Sequence, residues 1–526
     1  MRSRAALVLT AGLALIGVGV LGAMPANADA GHAEIEGSGS SWSAIAVGQW
    51  DADVKNLSGL KVTFTPSGSA QGRKDFALGT MDFGVTDIAY QGHDPLTGAD
   101  DNAGTRPYAY LPIVAGGTAF TYQIVVGGKR VNNLRLSGTT LAKIFTNRIT
   151  NWNDAAITTD NNGRKLPSLP ITPVVHSEGS GSTAQFTAYL AKEYSNIWGP
   201  FNDGRSVMTK YFPRKGRAIA QNGSDGVMNY IASGAGNGSI GYDEYSYALN
   251  RGFPVAKLLN KAGYFTKPDE YNVAVALTQA IIDENPNSAT YLMQKLDKVY
   301  VYHDVRTYPL SSYSYMLLPV GTNAQDSRLS TQKRQTLADY LYYSICVGQQ
   351  VMGNLGYSPL PINLVIAGFG QVQKLKTADP AVDITRRDVR SCNNPTFIPG
   401  QPKKNHLAQI APKPPLCDKI GQGPCIDGTS ISSNSSSSGN GGKGKGSAAG
   451  GASTGPSAAA RVDPDTGLAP SAAAGAVVAQ ANELAAARSN GLTGLLGPLA
   501  VVELAGILVG PIALHQWLVR RRREQP

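Results

Sequence analysis

The chain is poor in cysteine, with four in 526 residues and none before Cys346, so a lipid-modified N-terminal cysteine is excluded. Its six histidines show no paired metal spacing, and Cys346, Cys392, Cys417 and Cys425 lack both Cys-x-x-Cys spacing and nearby histidines. No metal or cofactor is therefore expected, and in an exported chain the cysteines read as disulfides. Of three possible pairings, the expected one joins Cys417 to Cys425 across a short Gly/Pro loop and Cys346 to Cys392. No internal repeat is evident. The one Gly-x-Ser-x-Gly match, Gly451 to Gly455, has no strand or helix around it and does not mark a hydrolase. Net charge is +10, but half of that excess sits in Arg2, Arg4 and Arg520 to Arg523 against Glu524. Basic and aromatic residues do not alternate, so no nucleic-acid partner is expected.

The ends of the chain carry their own signals. Arg2 and Arg4 precede an apolar run and then Ala26-Asn27-Ala28 or Ala28-Asp29-Ala30, which reads as a signal peptide over 1–30 and an exported protein. At the other end, 491–519 is apolar enough to span a bilayer and stops at four arginines, so 520–526 is expected as a basic cytoplasmic tail. Pro498, Glu503, Pro511 and His515 weaken that span, leaving an interfacial or removed segment as the alternative. Residues 429–490 are a low-complexity stalk too poor in large apolar residues to bury a core, and 374–428 forms a disulfide-stapled extension.

Between these ends, residues 34–373 alternate short apolar strands with amphipathic helices, the pattern of an open α/β sheet. Strands are expected at 61–64, 81–85, 171–175 and 314–319, and helices at 43–54, 140–145, 184–194, 225–233 and 331–346. The stretch Val174-Val175-His176-Ser177-Glu178-Gly179-Ser180-Gly181-Ser182-Thr183 runs from strand through a Gly/Ser turn into a helix start. Glycines there let backbone N–H groups approach a guest, and the hydroxyls stand beside the positive end of the helix, so an oxyanion suits the turn.

Similar turns recur at Gly37-Ser38-Gly39-Ser40-Ser41-Trp42, Ser67-Gly68-Ser69-Ala70-Gln71-Gly72 and Asp82-Phe83-Gly84-Val85-Thr86-Asp87. Further on come Leu136-Ser137-Gly138-Thr139-Thr140-Leu141 with Asn151-Trp152, then Gly238-Ser239-Ile240-Gly241-Tyr242 and Leu355-Gly356-Tyr357-Ser358-Pro359-Leu360-Pro361. In that order and at those separations the chain resembles the phosphate-binding proteins of ATP-driven phosphate uptake, within the periplasmic solute-binding superfamily. The resemblance, with the C-terminal anchor, suggests an actinobacterial-type member. It implies a type II, two-lobed periplasmic-binding-protein-like α/β fold, followed here by a disordered stalk and a C-terminal transmembrane helix. Lobe I would be 34–116 plus 311–373 and lobe II 117–310, with crossovers near 114–118 and 308–312.

The resemblance further implies ligand contacts at Ser41, Trp42, Ser69, Asp87, Ser180, Gly181 and Ser182, with inorganic phosphate or a related oxyanion as ligand and an ABC permease as partner. Asp87 can only accept, so it suits an anion that still carries a proton and opposes sulfate. Where the family has an arginine, this chain has His176; the family's aspartate is Glu178 and its threonine is Ser182. His176 is expected to face the ligand, and Arg73 or Lys74 is either a substitute cation or part of a solvated helix face. A surface or adhesion protein that has lost tight phosphate binding is the competing reading, and an enzyme is not expected.

Overall fold

The computed structural model describes residues 31–94, 98–385 and 387–425. The signal peptide, the stalk, the apolar segment at 491–519 and the basic tail lie outside the described residues. Among the described residues, no helix is long and apolar enough to cross a membrane.

The main sheet is built, in chain order, from β1 (Ile35–Gly39), β2 (Val62–Thr65), β3 (Phe83–Thr86), β4 (Tyr108–Tyr122), β5 (Thr172–His176), β6 (Ile219–Gln221), β7 (Ser239–Glu244) and β8 (Ser311–Pro319). Their order across the sheet is β6-β5-β7-β4-β8-β3-β1-β2. Strand β1 pairs in parallel with β2 and β3, and β5 in parallel with β6 and β7. Between these two parallel sets run the antiparallel strands β4 and β8. Tyr108 to Gly117 of β4 lie along β8, whereas Thr118 to Tyr122 lie along β7. One long strand thus belongs to both halves of the sheet. An α/β periplasmic-binding-protein-like fold is the result.

Six of the helices frame the site and the C-terminal extension: α1 (Ala44–Ser58), α2 (Ser69–Ala77), α3 (Gly181–Glu193), α4 (Gly223–Ala232), α5 (Thr331–Ile345) and α6 (Ile362–Ala378). The first four each begin just beyond the carboxyl end of a parallel strand, β1, β2, β5 and β6 respectively. That is where open α/β sheets hold their ligands, because strand ends splay and helix N-termini point inward. Helix α3 starts at Gly181, three residues before the expected start, because Ser180 Oγ accepts a hydrogen bond from Thr183 N and caps it. Its Phe186 packs 5.0 Å from the rings of Phe120, Phe145 and Tyr242. Burying such rings contributes roughly 1.5–3 kcal/mol each, so the α3 N-terminus is held by a rigid core.

Beyond α6 the chain runs back over the molecule. Cys392 is bonded to Cys346, and Cys417 to Cys425, the expected pairing. Asn394 and Thr396 donate to the carbonyl of Leu360. Further along, Arg306 donates to the carbonyls of Ala408 and Ala411. The end of this segment lies on the β5-β7 half: Arg135 Nη1 donates to Cys417 O, Asn133 Nδ2 donates to Cys425 O, and Lys257 pairs with Asp418 at 2.6 Å.

Candidate functional site

Asp87 follows β3 and is buried, with only 2 % of its surface exposed. A carboxylate so placed needs donors, and the chain brings three hydroxyls to it from separate elements. Oδ2 accepts from Ser40 Oγ at 2.7 Å and Ser69 Oγ at 3.0 Å, and Oδ1 accepts from Ser314 Oγ at 2.7 Å. Burial raises its pKa, and the bonds from Ser314, Ser40 and Ser69 partly offset that rise.

The other half of the sheet meets Asp87 through the turn after β5. A Cβ at Gly181 would collide with Asp87 Oδ2 and Ser69 Oγ, so glycine is what lets the two halves come together here. Two further bonds span the same gap: Ala70 N donates to Gly179 O at 2.9 Å, and Gln185 Nε2 to Asp87 O at 2.8 Å. The Oγ of Ser182 is buried and has no partner among the described atoms. A hydroxyl in that state is a donor and acceptor available to a guest.

Ser41, after β1, accepts hydrogen bonds on its Oγ from Ser224 N (3.1 Å) and Ser224 Oγ (2.8 Å) at the start of α4. Its own hydroxyl hydrogen stays free to donate. Trp42 is a core residue rather than a cleft wall. Its ring lies against Gly116, where a Cβ would not fit, and meets Tyr357 edge-on at 5.8 Å; its carbonyl accepts from Tyr357. Its ring and its carbonyl are thus taken up by contacts within the protein.

His176 differs from the expectation in its orientation. Both ring nitrogens are turned to protein acceptors, Nδ1 to Glu178 Oε1 at 2.7 Å and Nε2 to Tyr242 O at 3.2 Å, with Asp243 Oδ2 3.9 Å away. Burial alone would depress its pKa, but the bond to Glu178, the charges of Asp243 and Glu178 and the Tyr242 carbonyl raise it above its ordinary value. Glu178 is pushed up by burial and, through His176, ends below its ordinary value; it also accepts from Gly223 N at 3.0 Å. The imidazolium therefore braces the turns that begin α3 and α4.

Arg73 corrects the picture of a solvated helix face. It is fully buried and grips Asp101 with Nε and Nη2 at 2.8 and 2.6 Å, while Nη1 donates to Thr86 Oγ1 at 2.9 Å. Asp101 belongs to a short hairpin, Gly92–His93 with Asp100–Asp101, that follows β3. From the opposite half, Lys210 Nζ pairs with Asp101 Oδ2 at 2.7 Å and Asp94 Oδ2 at 2.9 Å, while its carbonyl accepts from Ser180 N. Burial raises Asp101, but Arg73 and Lys210 more than reverse this and leave its pKa lowered. Lys74 is exposed.

Of the eight residues expected from the sequence, Ser69, Asp87 and Gly181 come together directly, and Ser180 and Ser182 flank Gly181. Ser41 lies across the cleft against Ser224. Four participants were not foreseen: Ser40, Ser224, Ser314 and Lys210. Ser224 had a signal, since Asn222-Gly223-Ser224-Asp225 is another Gly/Ser turn before a helix. Ser314, within Ser311-Ser312-Tyr313-Ser314-Tyr315 and with neither a glycine nor a helix start beside it, had none.

A domain model described as the PBP superfamily domain matches residues 25–346. The chain is 30% identical over 335 residues to the phosphate-binding protein PstS of Xylella fastidiosa (strain Temecula1), covering 63% of this chain and 83% of that protein. It is also 30% identical over 346 residues to phosphate-binding protein PstS 2 of Mycobacterium tuberculosis, covering 63% and 84% of the two chains. Among solved structures, the ancestral soluble variant of the human phosphate binding protein aligns with a TM-score of 0.48 and 19% identity over 64% of this chain and 93% of that one. The chain belongs to the PBP superfamily and, within it, to the family of PstS phosphate-binding proteins.

Proposed function

We propose that this protein binds inorganic phosphate between the two halves of its sheet, with Ser41, Ser69, Asp87, Ser180, Gly181 and Ser182 around the anion and Trp42 contributing its backbone N–H. The observation that carries this reading is the buried carboxylate of Asp87, collected by serine hydroxyls and placed against the N-terminus of α3. Neutral donors and helix ends hold a dianion without a full countercharge, and the lone carboxylate demands that the guest bring a hydrogen. His176 acts indirectly, by holding Glu178 and the turn. Calorimetric titration of the full-length protein in mild detergent tests this. Phosphate should bind and sulfate should not, and Asp87→Asn should narrow the gap; an unchanged ratio in that variant removes Asp87 from the site.

In the same reading, 34–116 with 311–373 and 117–310 are the lobes that close on the ligand. The protein is exported, held at the membrane by 491–519 as the substrate-binding component of an actinobacterial-type phosphate ABC transporter. Deleting 491–526 should release it from membranes on fractionation. A second reading, a surface or adhesion protein that no longer binds phosphate tightly, is favoured by one observation: both His176 nitrogens are committed to protein, so no cationic fork faces the guest. Silence in the phosphate titration up to millimolar concentration would support it.

A further inference from the structure

The hydrogen bonds at Asp87 define more than a tethered carboxylate. An ionised carboxylate has about four acceptor positions, two on each oxygen. Ser40 and Ser69 fill both on Oδ2, and Ser314 fills one on Oδ1, leaving a single position. Ser314 Oγ also stands 3.1 Å from Ser43 Oγ, to which it could give its hydrogen instead, but the closer approach at 2.7 Å and the charge of the carboxylate keep that single hydrogen on Asp87. It also sits where β8 slips register against β4, for Ser314 faces Val114 while Tyr315 faces Pro112. Such irregularities re-aim side chains near binding sites.

The geometry points to Ser314 as the positioning residue for ligand selectivity: its bond to Oδ1 fixes the Asp87 carboxylate so that one acceptor position, and only one, is presented to the guest. This rests on the phosphate-binding reading and deepens it, because it assigns to Ser314, on another strand, the condition that the guest offer one hydrogen to Asp87. Monohydrogen phosphate and monohydrogen arsenate meet that condition, and sulfate does not. Without Ser314 the carboxylate loses its largest hydrogen-bonding restraint on burial and takes up a proton more readily. A protonated Asp87 donates, and the barrier to sulfate falls. The groups around Asp87 are few: Ser40 from the β1 turn, Ser69 and the charged Arg73 from α2, Tyr315 beside Ser314 on β8, and Gly181 and Gln185 from α3. Arg73 is the one cation among those acting on it.

The test is competition calorimetry with phosphate, arsenate and sulfate on the full-length protein, its Ser314→Ala and Ser314→Thr variants, and Ser314→Ala combined with Asp87→Asn, with melting curves as folding controls. Losing a hydrogen bond to a charged group is worth about a tenfold change or more, so Ser314→Ala should lower the phosphate to sulfate ratio by about that factor while arsenate follows phosphate. Sulfate does not titrate in this range, so the pH at which it begins to bind reports on Asp87; that onset should move to higher pH in Ser314→Ala and return in Ser314→Thr. On top of Asp87→Asn, Ser314→Ala should change the ratio no further. An unchanged ratio and onset in folded Ser314→Ala overturns the proposal, as does a further drop in the double variant. Should Ser314→Ala not fold, Ser314→Thr decides, since a folded variant that keeps the hydroxyl yet loses selectivity also overturns it. A wild-type protein silent to phosphate overturns the binding reading itself, which a changed ratio in the variants cannot do.

Discussion

Lys210 offers the sharpest test of how the two halves are held together. It spans from the α3 side to Asp94 and Asp101, and its own side chain is only 9% exposed against 4% and 7% for theirs. Lys210→Met keeps the stem and removes the charge, so Asp101 keeps Arg73 while both carboxylates lose their ion pair with Lys210. Removing one partner of a buried ion pair costs about 3–5 kcal/mol, mostly for the charge left behind. When the halves part, water solvates Asp94 and Asp101, so the penalty falls on the closed arrangement and little on the fold. Even about 3 kcal/mol shifts the closed-to-open ratio by roughly 150-fold, and affinity for a ligand held only in the closed form drops by up to that factor. Calorimetry should show the weakened binding, small-angle scattering of the ligand-free variant should show a larger radius of gyration, and the melting temperature should change little. Equal affinities and superimposable scattering curves would refute the reasoning.

Gly181→Ala should separate closure from folding in the opposite sense: alanine at the first position of α3 leaves stability unchanged or slightly higher, while its methyl, striking Asp87 and Ser69, abolishes measurable binding. The His176–Glu178 pair makes a pH prediction. The His176 pKa is raised in the fold, so its contribution is fully present below the unfolded value of about 6.5 and is lost as pH rises through the folded value. Glu178 is lowered, so its share is present above its unfolded value and is lost as pH falls through the folded one. Melting curves of wild type and His176→Gln should therefore diverge at neutral pH and converge on the alkaline side; parallel curves throughout would show that the pair contributes nothing. Replacing Cys346 and Cys392 by serine, which opens a loop with a sequence separation of 46, should cost about 4 kcal/mol in the chain-entropy model, read by denaturant unfolding.

Much of the site was legible because it is made of local turns. Each Gly/Ser segment announces itself by the same rule, glycine for close approach and hydroxyls before a helix, and the expected helices at 43–54, 225–233 and 331–346 fall within a few residues of α1, α4 and α5. Strand β4 was not legible. Its Pro112, Gly116 and Gly117 punctuate what would otherwise read as a continuous apolar run, and only the tertiary fold explains them. The orientation of His176 was also hidden, since its second acceptor, the Tyr242 carbonyl, lies on another strand. So were Ser314 and Lys210: a serine among serines and tyrosines and a lysine in a loop acquire meaning only from partners 227 and 109 residues away in sequence.

The segment that follows α6 changes how such a binder can move. Two passages of chain between the halves leave both a bend and a twist available. The return segment adds a third attachment, bonded to Cys346 and Leu360 on one side, to Arg306 near the middle, and to Arg135 and Lys257 on the other. If the halves swing apart to admit a ligand, this third tie acts as a stay that limits how far they open. Part of the ordering that a hinged binder undergoes when ligand arrives would then already be complete in the folded chain, and less entropy would be lost at capture. The same restraint would slow escape, because the guest would have to leave through a gap that opens only as far as the stay allows.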